Sequence, residues 1–115
     1  MARQRALGYL RSDVSRYKQR WDEYHIRHHA RLMGLELGKI VAFSDRTSHP
    51  IEKLLRAVKD SGATALVVPG VEHFDEGRMP PEICQITDIF AVDSQRTYPR
   101  RDADEEETDR NETQQ

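Results

Sequence analysis

The apolar residues fall into two kinds of block, short continuous runs and longer stretches with a step of three or four. Ala6-Leu7-Gly8-Tyr9-Leu10 is a run, and the polar turn formers Ser12, Asp13 and Ser15 follow it. This predicts a buried strand ending near Arg11 and feeding a helix, with Ser12 and Ser15 as capping hydroxyls. Ser15 to Met33 contains no Pro or Gly, and Tyr17, Trp21, Tyr24 and then Ile26, Ala30 and Met33 recur at helical spacing until Gly34 stops the helix. Leu35 to Phe43 reads as a second strand, most buried at Val41, Ala42 and Phe43 and ending at Ser44-Asp45.

Pro50 suits the first turn of a second helix, whose stripe of Ile51, Leu54, Leu55 and Val58 ends at Gly62. Thr64 to Pro69 is β-branched enough to be a central third strand. Gly70 to Met79 reads as a loop, Pro80-Pro81-Glu82 opens a short helix through Cys84 and Ile86, and Asp88 to Asp93 is a fourth strand before the chain turns polar at Ser94. The expected fold is α/β: a small parallel four-stranded sheet in the order β-α-β-α-β-α-β, with helices on both faces in three layers. Ligands of such sheets sit at the C-terminal strand ends, here Arg11-Ser12-Asp13, Ser44-Asp45-Arg46 and Gly70 to Phe74.

A chain of 115 residues has room for one hydrophobic core. The domain is expected over residues 1–99. Residues 100–115 contain no apolar residue larger than Ala103 and read as a disordered acidic tail. Charge is divided the same way. Residues 1–34 carry eight basic against three acidic side chains, a net of +5, and residues 100–115 carry three against seven, a net of −4. The basic first third suits nucleic acid or an acidic partner, whereas the tail repels phosphate or mimics it; a solvated helix face with a solubilising tail is the plainer reading.

Cys84 is the only cysteine, which excludes an intramolecular disulfide and a cysteine-based zinc site. It has no adjacent His or Lys to lower its pKa and reads as a small buried hydrophobe. The start MARQRALGYLR lacks the roughly 7–15-residue apolar stretch of a signal peptide, and no run approaches the ~20 residues of a membrane span. A cytoplasmic protein without membrane association is expected.

The three strand ends resemble a known family. Ala6-Leu7-Gly8-Tyr9-Leu10-Arg11-Ser12-Asp13 is similar to the Tyr-x-Arg-Val-Ser strand that opens the catalytic domain of serine recombinases, the resolvase/invertase family. Ala30-Arg31-Leu32-Met33-Gly34-Leu35-Glu36-Leu37 followed by Phe43-Ser44-Asp45 resembles that family's helix end, glycine, second strand and terminal aspartate. His49-Pro50, Leu54-Leu55 and Val58 through Gly62 to Val68 look like its Arg-Pro helix and third strand. The likeness covers roughly residues 5–75 and implies a resolvase-like domain in which a serine attacks a DNA phosphate.

That chemistry needs an activated hydroxyl and several fixed positive groups around the phosphoryl oxygens. Arg11 matches one such group. Where the pattern has Val-Ser, this chain has Ser12-Asp13, so a carboxylate fills the nucleophile's slot. Ser12 is one residue away, and a one-residue slip at a strand end turns a side chain to the opposite face unless the chain bulges. The Arg-Pro element is His49-Pro50, and Glu72-His73-Phe74-Asp75-Glu76 stands in place of an Asp-Arg-Leu-x-Arg signature. Losing one preorganised donor costs ~10²–10³ in rate, so Arg11 and Ser12 are expected to be a vestigial catalytic pair. The chain also ends before the long oligomerisation helix and helix-turn-helix domain of full recombinases, so the resemblance is to a truncated and degenerate member.

Other constellations in the chain also have plainer roles. Arg16, Lys18 and Arg20, interleaved with Tyr17, Trp21 and Tyr24, suit nucleic-acid binding by charge and stacking, but the helical spacing of the aromatics favours core packing for them. His25, His28 and His29 are spaced for a shared metal ion, yet no acid completes a site, and a polar solvent face is the commoner arrangement. No metal or cofactor is expected. Ile83, Ile86, Ile89 and Phe90 serve either the core or a homodimer contact. The expectation is a catalytically inactive recombinase-like domain that binds a protein partner or DNA. The alternative is a small hydrolase or nucleotide-binding enzyme built on Arg11, Ser12 and Asp45.

Overall fold

The computed structural model describes residues 3–101. Its chain order is β1 (Arg5–Arg11), α1 (Ser12–Ser15), a 3₁₀ turn (Arg16–Lys18), α2 (Gln19–Leu32), β2 (Glu36–Phe43), α3 (Pro50–Ser61) and β3 (Ala65–Val68). Two 3₁₀ turns (Val71–His73 and Asp75–Gly77), α4 (Pro81–Cys84), β4 (Asp88–Ala91) and β5 (Arg96–Tyr98) follow. Among the described residues the sheet has five strands, in the order β2-β1-β3-β4-β5. The first four are mutually parallel and β5 pairs antiparallel with β4. The four-stranded parallel expectation is corrected accordingly: β5 is three residues long, lies at an edge and is mostly exposed, so burial left no apolar run to mark it.

Period-two alternation divides β1 between two cores. Leu7 and Tyr9 join Leu54 and Val58 of α3, Ile83 of α4, Leu66, Val68 and Ile89 on one face. Ala6 and Leu10 join Ile26 and Ala30 of α2, Ala65, Val67 and Phe90 on the other. The layers are thus α2, sheet, and α3 with α4. Gly8 permits the close approach of α2 and β2 on the second face: a Cβ there would lie 2.7 Å from Ile40 Cγ1 and 3.0 Å from Ile26 Cγ2. β3 is buried throughout, as befits a central strand covered on both faces. β2 is an edge strand and is only half-buried; Ala42, expected among its most buried residues, is exposed.

The long helix expected from Ser15 to Met33 is broken. Arg16 takes φ 54° and ψ −128°, which ends α1 before the 3₁₀ turn and α2 begin. α3 starts on Pro50 and ends at Gly62 in the left-handed conformation (φ 69°), where a side chain would be strained. Ile83, Ile89 and Phe90 are buried and Ile86 is half-buried, so these residues belong to the core and form no exposed dimer patch. Cys84 is half-buried against the same core.

The folded chain runs past residue 99. The Arg100 amide donates to Asp88 Oδ1 at 2.7 Å and the Arg101 amide to the Cys84 carbonyl at 2.9 Å. Residues 102–115 of the expected tail lie outside the described residues. No helix among the described residues is long and apolar enough to cross a membrane.

Candidate functional site

In the order β2-β1-β3 the chain leaves β1 toward one side and returns on the other, so the topological switch point lies between β1 and β3. Open α/β sheets leave a crevice there, at the C-terminal strand ends. Arg11 ends β1 at this place, and Gly70 to Asp75 follow β3 into it.

Two carboxylates hold the Arg11 guanidinium, with one bond from each of its three nitrogens. Its Nε donates to Asp13 Oδ1 at 2.9 Å and its Nη2 to Asp13 Oδ2 at 2.6 Å, a bidentate fork, while Nη1 donates to Asp75 Oδ1 at 2.7 Å. The arginine side chain is only 15% exposed. Its hydrogen bonds hold the Asp13 carboxyl below the ordinary range and fix the guanidinium still more firmly in its charged form. Asp13 therefore neutralises the one retained positive group instead of capping α1, whose N-terminus has no side-chain cap.

His73 supports the same strand end from below. It is buried, and its Nδ1 accepts the Arg11 backbone N–H at 2.9 Å. Nδ1 as acceptor fixes the neutral tautomer with the proton on Nε2, and burial pushes its pKa down, in the same direction. The Tyr9 hydroxyl donates to the His73 carbonyl at 3.0 Å, and its ring stacks on Phe74 and meets Phe43 edge-on. Burial pushes the Tyr9 phenol up to about 12, so it stays a donor.

Ser12 is turned away from this cluster. Its hydroxyl donates to the Phe43 carbonyl of the neighbouring strand at 3.2 Å. Ser15, also expected as a cap, donates to Asp22 Oδ2 at 2.6 Å. Neither caps a helix, because both hydroxyls find acceptors on β2 and α2 instead. A cleft of about 530 Å³ opens beside the cluster, lined by Arg11, Asp45, Asp75 and Arg78 above the apolar Tyr9, Leu54, Phe74 and Met79. Ser12 is not among its lining residues. His49 is exposed, in the left-handed conformation at the head of α3.

Arg16, Lys18 and Arg20 lie exposed along the 3₁₀ turn and the start of α2. The neighbouring aromatics do not pack in the core: Tyr17 is 89%, Trp21 61% and Tyr24 58% exposed. Ile26 and Ala30 bury the opposite face of the helix. No group of three or more His, Cys, Asp or Glu among the described residues is placed to hold a metal ion. Asp75 and His73 were missed as partners of Arg11 because more than sixty residues separate them from it, and no spacing rule reaches that far. Comparison with protein families, with curated proteins and with solved structures returns no match for this chain.

Proposed function

We propose that this chain is a recombinase-like α/β domain that has lost phosphoryl-transfer chemistry and acts by binding, to a protein partner or within a DNA-associated complex. The observation that carries this reading is the closed Arg11 cluster. A phosphate at the strand ends would have to share the guanidinium with Asp13 and Asp75 or displace one of them, and in either case lie beside carboxylates. The hydroxyl nearest the expected nucleophile position is committed to a backbone carbonyl on β2. The alternative hydrolase or nucleotide-binding reading draws on the size of the cleft, but it needs Ser12 in company with Arg11 and Asp45, and only the latter two line it.

The test is covalent trapping. The full chain is mixed with supercoiled and linear duplex DNA, denatured, and resolved for a protein–DNA adduct and for strand breaks. No adduct and no relaxation are expected, for wild type and Ser12→Ala alike. A phosphoseryl adduct present in wild type and absent from Ser12→Ala would overturn the proposal.

A further inference from the structure

We infer that the outward face of α2 is a platform for single-stranded nucleic acid, an assignment that rests on the binding reading above and names its ligand. At about 100° per residue, Trp21, Tyr24, His25 and His28 fall along the crest of the helix opposite buried Ile26 and Ala30. The rings already stack among themselves. Tyr24 and His28 are nearly parallel (7°) with centroids 5.9 Å apart, Trp21 and Tyr24 lie at 28° and 6.3 Å, and Trp21 meets His25 edge-on at 4.5 Å. Exposed Trp21 and Tyr24, with Leu32 on the same crest, form the kind of contiguous apolar surface that marks an interaction site.

Charge identifies that occupant. Arg20, Arg27 and Arg31 run along one flank of the crest, over about 16 Å of helix at 1.5 Å per residue. Beyond them, Arg3, Arg27, Arg31 and Lys39 line a groove of about 270 Å³ against β2 that contains no acidic residue. Among the described residues no ion pair engages Arg3, Arg20, Arg31 or Lys39, and Arg27 meets Glu23 only at 3.8 Å. The other flank is different: Asp22 and Asp93 lie beside Trp21 and His25 there. A ligand with flat apolar faces on one edge and regularly spaced negative charge on the other matches this layout, with phosphates toward the arginines and bases over the rings. A duplex keeps its base faces stacked inside and cannot use the rings.

Trp21 is the only tryptophan, so its emission reports the platform directly. Full-length protein is titrated with a fluorescently labelled oligothymidylate and with a duplex of the same length, reading anisotropy and Trp21 quenching. The single strand should bind more tightly than the duplex and quench Trp21, with a log–log salt slope of about −2 to −3 for three or four phosphates. Tyr24→Ala should weaken binding at least about fivefold, and Trp21→Phe, which keeps a ring, should lose less than Trp21→Ala. Arg31→Glu should weaken binding, whereas Lys59→Glu at an exposed position of α3 should leave it unchanged. Duplex binding as tight as single-strand binding, absence of quenching, or equal loss in Lys59→Glu and Arg31→Glu would overturn the inference. None of these outcomes touches the non-catalytic reading, which falls only if the covalent adduct is found.

Discussion

Replacing Asp13 by Asn tests whether this carboxylate is what holds Arg11. Asn keeps the size and one acceptor oxygen but removes the charge and turns an NH₂ group toward a guanidinium donor. One of the two bonds to Asp13, at 2.9 and 2.6 Å, is lost from a side chain only 15% exposed. A hydrogen bond to a charged group is worth about 1.5–3 kcal/mol. Asp75 recovers little of this, because its carboxylate is 79% exposed and its pair with Arg11 is weakened by solvent. The expected loss of about 1.5–3 kcal/mol lowers Tm by roughly 6–24 °C for a domain of this size. The loss should also depend on pH. Because Arg11 holds the Asp13 carboxyl below its ordinary range, the pair stabilises the fold fully above the unfolded carboxylate pKa of about 3.9. That contribution disappears as pH falls through the lower folded value. Thermal melts followed by far-UV circular dichroism should therefore show the widest gap between wild type and Asp13→Asn near neutral pH and a shrinking gap in acid. A gap that stays constant with pH, or one too small to resolve near neutrality, would refute this reasoning.

His73→Phe should cost about 1–3 kcal/mol near neutral pH, read by urea unfolding, because the half-buried Arg11 N–H loses its acceptor. Since burial lowers the folded pKa of His73, wild-type stability should hold above the unfolded histidine pKa of about 6.5 and decline as pH falls below it, and His73→Phe should flatten that decline. Gly8→Ala places a methyl 2.7 Å from Ile40 Cγ1; about 1–3 kcal/mol of overpacking is expected, and a double-mutant cycle with Ile40→Ala, which removes that Cγ1, should show a smaller cost of Gly8→Ala in the Ile40→Ala background. Alkaline titration followed by phenolate absorbance should contain a step at about 12 that Tyr9→Phe removes.

The elements legible in the sequence are those whose burial is complete or whose ends carry a steric signal. β3 is apolar at every position because both its faces are covered, and α3 is bounded by Pro50 and Gly62. Where exposure rises, legibility falls: β5 and the half-buried β2 mix polar and apolar positions. The break at Arg16 has no Gly or Pro to announce it. Helical spacing located two stripes on the long helix but not which of them faces inward, so Tyr17, Trp21 and Tyr24 read as core when Ile26 and Ala30 are the buried pair. At the site, Arg11 and Asp13 stand two residues apart and were visible together. The ion pair of Arg11 with Asp75 and the His73 support depend on the switch point between β1 and β3, which only the sheet order creates.

Binding on α2 and chemistry at the strand ends are separated most directly by a ¹H–¹⁵N titration of the full chain with the single-stranded oligothymidylate. The Trp21 indole and the amides of Arg20 to Leu32 should move in a saturable, salt-sensitive way while the Arg11 Nε–H and the Ser12 amide stay in place. Shifts centred on Arg11, Ser12 and Asp45, with α2 silent, would contradict a domain that works through its surface.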